Sequence, residues 1–194
     1  VKAARAALGV LLLSPLLILA IPEEASATAY CSTASQTGVC LHWNRPTAYN
    51  VAVTFADFTG SSWPVSTATY KWDEARRVQV LYRYKACASQ HCVPVKETYY
   101  ENVSWAGVTF WQYDQASGHF KDGSVSVWMN NWWVQYMGYS ARWHATCHEL
   151  GHALGLAHNW PAGQGSCMST PADGSGEWPL PEDFWMLDNV MYNH

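Results

Sequence analysis

Apolar positions alternate along Asn50–Asp57, placing Val51, Val53 and Phe55 on one face, and this period of two predicts a strand. The next segment, Thr67–Tyr82, has neither glycine nor proline. It spaces Trp72, Ala75 and Val78 at helical intervals among Asp73, Glu74, Arg76 and Arg77. It reads as a helix, although its β-branched C-terminal half also fits the start of a strand. Gln79–Tyr84 and Val93–Thr98 flank the short Cys87–Cys92 loop as a candidate hairpin. Val108–Tyr113 and Ser124–Met129 are further strand candidates, parted by turns with glycine and aspartate. Ser140–Leu154 carries the best helical pattern in the chain. Glu182–Tyr192 is a second, entered through Pro179 and Pro181. This order of elements, with no internal repeat or low-complexity linker, indicates an α+β or mixed α/β single domain.

The first stretch has a different character. Lys2 and Arg5 precede the apolar run Ala6–Ile21, and small residues then offer cleavage after Ala27 or Ala29. That order reads as a secretory signal peptide over residues 1–29, leaving 30–194 as the mature domain. A membrane anchor is the alternative, but Pro15 interrupts the run, which falls short of the ~20 residues a span needs. Valine at position 1 fits a bacterial valine start codon, so a secreted bacterial protein is expected. The mature part keeps nine basic and thirteen acidic side chains, a net charge of −4. It has no basic run or stripe, which argues against nucleic acid and anionic membrane as partners. A monomer is expected.

All six cysteines lie in the mature part. An even number in an exported chain reads as three disulfides, although six cysteines allow fifteen pairings. Proximity favours Cys31–Cys40, Cys87–Cys92 and Cys147–Cys167.

The chemistry concentrates in His148-Glu149-Leu150-Gly151-His152-Ala153-Leu154-Gly155-Leu156-Ala157-His158. Residues four apart on a helix share a face, so His148 and His152 can offer two imidazole nitrogens to one zinc ion. Glu149 lies about 100° further round, out of reach of the metal but within reach of a water beside it. Gly155 in a left-handed conformation would end the helix and let His158 return as a third ligand. A fourth position left open distinguishes a catalytic zinc from a structural one. The remaining histidines, His42, His91, His119, His144 and His194, lack ligand spacing. They read as structural or surface residues, with His144, one turn before His148, a candidate support for it.

Met168 follows ten residues after His158, within Gly165-Ser166-Cys167-Met168-Ser169. With the histidine motif, this resembles the metzincin zinc peptidases, whose HExxHxxGxxH pattern is closed by a methionine turn under the metal. The ending Pro181-Glu182-Asp183-Phe184, Leu187 and Tyr192 looks most like the matrixins within that clan. The resemblance is clear over 140–170 and looser over 123–194. It implies a twisted, mostly parallel sheet, an active-site helix and a C-terminal helix, with Met168 as an apolar floor and Asp183 supporting the turn. The chain departs from the pattern of some metzincins in having Ser169, Thr170 and Pro171 where a tyrosine follows the turn. A cysteine-based propeptide latch is also unsupported.

The reaction implied is peptide hydrolysis, with Glu149 as general base and a protein or peptide substrate lying extended along an edge strand, assigned to Ser124–Met129. Two rivals stand beside it: a zinc hydrolase acting on a non-protein amide in cell-wall or glycan material, and a non-catalytic zinc-containing binding module. Trp132, Trp133, Tyr136, Tyr139 and Trp160 either line subsites or pack the domain. Asp114, Asp122 and Asp173 stand in loops without an EF-hand pattern, so calcium has no support and surface carboxylates are the reading.

Overall fold

The computed structural model describes residues 31–45, 50–158, 165–169, 176 and 178–193. The signal segment 1–29, Trp160, Thr170, Pro171, Asp173 and His194 lie outside the described residues. Five strands form one sheet: β1 (Val51–Asp57), β2 (Val78–Tyr84), β3 (His91–Thr98), β4 (Gly107–Phe110) and β5 (Ser126–Asn130). Their order is β2-β1-β3-β5-β4, parallel except for the antiparallel pair β4–β5. The helices are α1 (Val65–Trp72), α2 (Tyr139–Ala153) and α3 (Pro181–Trp185). The domain is α+β, with a mixed, mostly parallel sheet.

β1 is an interior strand, and residues on both its faces are fully buried, Val53 and Phe55 on one and Ala56 on the other. The helix expected over Thr67–Tyr82 stops at Trp72. Asp73 caps it and then turns its carboxylate to the Val80 backbone N–H at 2.8 Å, so the β-branched Val78 and Val80 join the sheet beside β1. Asp188 accepts from the backbone N–H groups of Arg76 and Arg77 at 2.8 and 2.9 Å and holds the turn between them.

The hairpin expected across Cys87–Cys92 is not formed. β2 and β3 each pair in parallel with β1, which lies between them. The connecting residues instead cross β1, where the Thr54 hydroxyl meets Ser89 Oγ at 2.7 Å and accepts from the Ala88 N–H. Parallel pairing on the doubly buried β1 outweighs the local turn signal. The edge-strand assignment of Ser124–Met129 is likewise corrected. β5 is paired on both sides, and the strand left with a free edge on that flank is β4.

α2 is fixed at its C-terminal end by a complete set of partners for its last carbonyls. Gly155 takes φ +103° immediately after the helix; its N–H donates to His152 O at 2.9 Å, while the Leu156 N–H donates to Gly151 O at 3.1 Å. This double bond pattern is a Schellman ending. Trp43 Nε1 donates to Ala153 O at 3.0 Å, and the Tyr192 hydroxyl donates to Leu154 O at 2.9 Å. A Cβ at position 155 would fall 2.0 Å from Leu41 O, so glycine is required by space as well as by φ. After α3, entered by Pro181, the chain continues as a π-helical turn over Met186–Met191, which delivers Tyr192 to the end of α2. The C-terminal helix expected over Glu182–Tyr192 is thus present with a widened second half.

Tyr192→Phe removes the donor to Leu154 O and the acceptor for the Trp43 N–H in a fully buried site. We expect a loss of about 1–3 kcal/mol in denaturant unfolding; unchanged stability would show that these carbonyl contacts contribute nothing.

Candidate metal centre

The one-turn spacing on α2 sets His148 and His152 side by side, and the reversal at Gly155 returns His158 to them. Ring centroids lie 4.5 Å (His148–His152), 5.0 Å (His148–His158) and 4.9 Å (His152–His158) apart, a near-equilateral triangle. One nitrogen from each lies within 4.8 Å of the others.

The hydrogen bonds decide which nitrogens face inward. His148 Nδ1 is 2.7 Å from Cys167 O, and His152 Nδ1 is 2.8 Å from Leu156 O. A carbonyl can only accept, so each Nδ1 carries the proton and each Nε2 presents a lone pair. Those two Nε2 atoms are 3.0 Å apart. Two lone pairs facing each other with no proton to share repel, and a cation between them relieves that repulsion. Burial drives His148 well below its ordinary range and His152 to about 4, which keeps both rings neutral, and the partial desolvation of the more exposed His158 lowers it too. Neutral, convergent imidazoles, two of them fixed through Nδ1, are a donor set that zinc takes.

Beneath them the chain makes a tight turn, with the Ser169 N–H donating to Ser166 O at 3.0 Å. Ser166 Oγ accepts from the Met168 N–H at 2.9 Å and donates to Asp183 Oδ2 at 2.7 Å, which also accepts from the Leu180 N–H. The buried Asp183 thus ties the turn to α3. Met168 is fully buried below Gly151, where a Cβ would fall 2.3 Å from its sulfur and 2.8 Å from Trp72 Cζ2. The Cys147–Cys167 disulfide joins the residue before His148 to the one whose carbonyl orients it; Cys31–Cys40 and Cys87–Cys92 are the other two bonds.

Glu149 is buried against the edge strand β4. The Thr109 hydroxyl lies 2.7 Å from Glu149 Oε2 and 2.9 Å from its backbone carbonyl, sharing its proton between them. A Cβ on Gly107 would sit 2.5 Å from Glu149 Cγ, so this glycine leaves the room that the side chain occupies. Burial raises the carboxyl to about 7, opposed by the Thr109 bond. Thr109, Gly107 and Gly151 were not singled out from the sequence. A glycine at the start of a strand and another inside a helix are signs of close approach that were there to be read.

The other candidates are placed elsewhere. His144 is fully buried, stacked on His148 with centroids 6.0 Å apart, its Nε2 3.3 Å from Ser169 O. His42 bonds Cys40 O and packs edge-on to His119; His91 bridges Asp122 and Asn44 O. Asp114 accepts from the N–H groups of Ala116 and Ser117 in a local turn. Trp132, Trp133 and Tyr136 pack on one another at 4.9–6.1 Å, and Trp133 Nε1 donates to Val103 O.

No family model matches the chain, and no protein of curated function matches its sequence. Among solved structures, one described as "Structure of myroilysin" aligns at TM-score 0.36 and 14% identity, over 60% of this chain and 52% of that one. A second, "Crystal structure of myroilysin", aligns at 0.33 and 14%, over 67% and 56%. The chain therefore spans about half of these two structures, and likeness this slight carries no weight for fold or activity.

Closing the loop between Cys147 and Cys167 is worth ~3 kcal/mol on a chain-entropy estimate, and the bond also holds the carbonyl that orients His148. Replacing both cysteines by serine is expected to weaken zinc affinity at least about tenfold in competition with a chromogenic chelator. Unchanged affinity would separate the disulfide from the histidine cluster.

Proposed function

We propose that the chain is a secreted zinc-dependent endopeptidase of metzincin type, matrixin-like, with His148, His152 and His158 as metal ligands and Glu149 as general base. The observation that carries this reading is the pair of bare Nε2 atoms 3.0 Å apart, each ring locked through Nδ1 to a backbone carbonyl. A structural zinc site is saturated by four protein ligands. Among the described residues this cluster has three histidines and, next to them in sequence, a carboxylate held away on Thr109.

Bound zinc supplies Lewis-acid chemistry, acidifying water and polarising a scissile carbonyl. The protein's own part falls to Glu149. With its carboxyl held near neutrality by burial, it is suited to take a proton from the attacking water and return it to the leaving amine. Thr109 holds one carboxylate oxygen, leaving the other for the proton. The free edge of β4 beside Glu149 offers backbone groups to a substrate that pairs with it as an added strand. Three disulfides support a site of action outside the reducing cytoplasm, with residues 1–29 as the export signal and 30–194 as the working domain. No helix among the described residues is long and apolar enough to cross a membrane.

Purified protein is expected to cleave casein or gelatin and to lose this on chelation and regain it with zinc. Glu149→Ala should keep one zinc per chain while turnover falls about 10²–10⁴-fold. Turnover like that of the natural sequence in this variant would overturn the mechanism, and solubilisation of peptidoglycan without protein cleavage would overturn the peptidase reading. Thr109→Val should lower kcat with KM little changed, and Thr109→Ser should restore it; equal losses in both variants would assign Thr109 to packing alone.

A further inference from the structure

A cavity of about 440 Å³ opens at the C-terminal ends of β1 and β2, bounded by the start of α1 and by Tyr139 at the first turn of α2. Its size falls within the ~300–1,000 Å³ of small-molecule sites. Tyr139 precedes His148 by nine residues on α2, about 13 Å along the axis. The cavity is therefore distinct from the histidine cluster.

Its walls are aromatic rings and hydroxyls. Trp63, Tyr82, Tyr84 and Tyr139 line it with Asp57 and four serine and threonine side chains, and no valine, leucine, isoleucine or methionine takes part. The polar groups are already ordered. Asp57 Oδ1 accepts from the Thr59 N–H at 2.8 Å and the Thr59 hydroxyl at 2.7 Å, and Oδ2 accepts from the Tyr82 hydroxyl at 3.1 Å. Oδ2 retains a lone pair for a further donor. Tyr84 and Tyr139 are 62% and 59% exposed, and the Lys85 ammonium stands over one face of the Tyr84 ring, 5.0 Å from its centroid.

This combination selects among ligand classes. No arginine or lysine is among the lining residues, and the Asp57 carboxylate among them disfavours an anion. Without an aliphatic wall, a leucine-like side chain gains little. A hexopyranose ring fits both kinds of wall: its C–H face lies on an aromatic ring while its hydroxyls donate to a carboxylate and exchange bonds with serine and threonine. The surroundings favour a chain of such rings over a single one. The parallel strands all end on this edge of the sheet, and the residues at or just after the ends of β1, β2 and β3 include the exposed Phe58, Tyr84, Tyr99 and Tyr100.

We propose that this cavity binds a neutral hexopyranose chain, stacking it on Tyr84 and Tyr139 and tethering the protein to polysaccharide. The site operates independently of hydrolysis. Calorimetric titration of the full chain with chitohexaose and with cellohexaose tests it. The expected result is saturable binding of at least one, weakened about tenfold or more by Tyr84→Ala and by Tyr139→Ala. Tyr84→Phe, which keeps the ring, should retain it, and Glu149→Ala should bind like the natural sequence. Casein cleavage should be unchanged in Tyr84→Ala, so failure here and failure of the peptidase reading are told apart. Absence of saturable binding to either oligosaccharide, or binding that survives both alanine substitutions, would overturn the proposal. Binding of gelatin peptides in place of both sugars, lost in the same variants, would assign the cavity to polypeptide and overturn it too.

Discussion

Two imidazole–carbonyl hydrogen bonds govern the rest of this structure. His148 and His152 present Nε2 to a common point only because Cys167 O and Leu156 O hold their Nδ1 protons. Neither carbonyl belongs to α2. One is reached through the reversal at Gly155, the other through the turn at Ser166–Ser169, and both must be positioned at hydrogen-bond distance from rings borne by the helix. Much of the surrounding fold meets that demand. Trp43 and Tyr192 complete the end of α2, Asp183 and the Cys147–Cys167 bond fix the turn, and glycine at 151 lets Met168 close the gap between them.

The sheet serves the same site from the other side. β1, buried on both faces, anchors α1 and through it α2, since Trp72 Nε1 donates to Cys147 O at 3.0 Å. β4 is the strand that approaches α2 at Glu149, where Gly107 yields space and Thr109 supplies a hydroxyl. A carboxylate buried this closely is costly unless a donor reaches it. The single Thr109 bond, with the opposing burial, leaves the group near neutrality rather than strongly acidic. That balance suits the proton transfer proposed for Glu149.

Much of this was legible in the sequence because it rests on local spacing. The four-residue interval brings His148 to His152, the glycine at 155 turns the chain, and close cysteines pair with their neighbours. β1, α2 and the position of the last helix follow from periodicity alone. What failed had long-range causes. The helix over Thr67–Tyr82 stops at Trp72 because Asp73 and Asp188, the latter 111 residues beyond Arg77, bind the backbone between helix and strand. The hairpin signal across Cys87–Cys92 was overridden by β1, which pairs with both flanking strands. The edge strand was misassigned because adjacency in a sheet is not written in the order of segments. Thr109 and Gly107 gain their meaning only when β4 is seen against α2.

Zinc-edge X-ray absorption on the purified protein tests the central claim most directly. The account predicts one tightly held zinc per chain, with a first shell of nitrogen and oxygen at about 2.0–2.1 Å and imidazole scattering from three rings. A protein that hydrolyses peptides with no stoichiometric metal, or a zinc shell containing sulfur at about 2.3 Å, would contradict it.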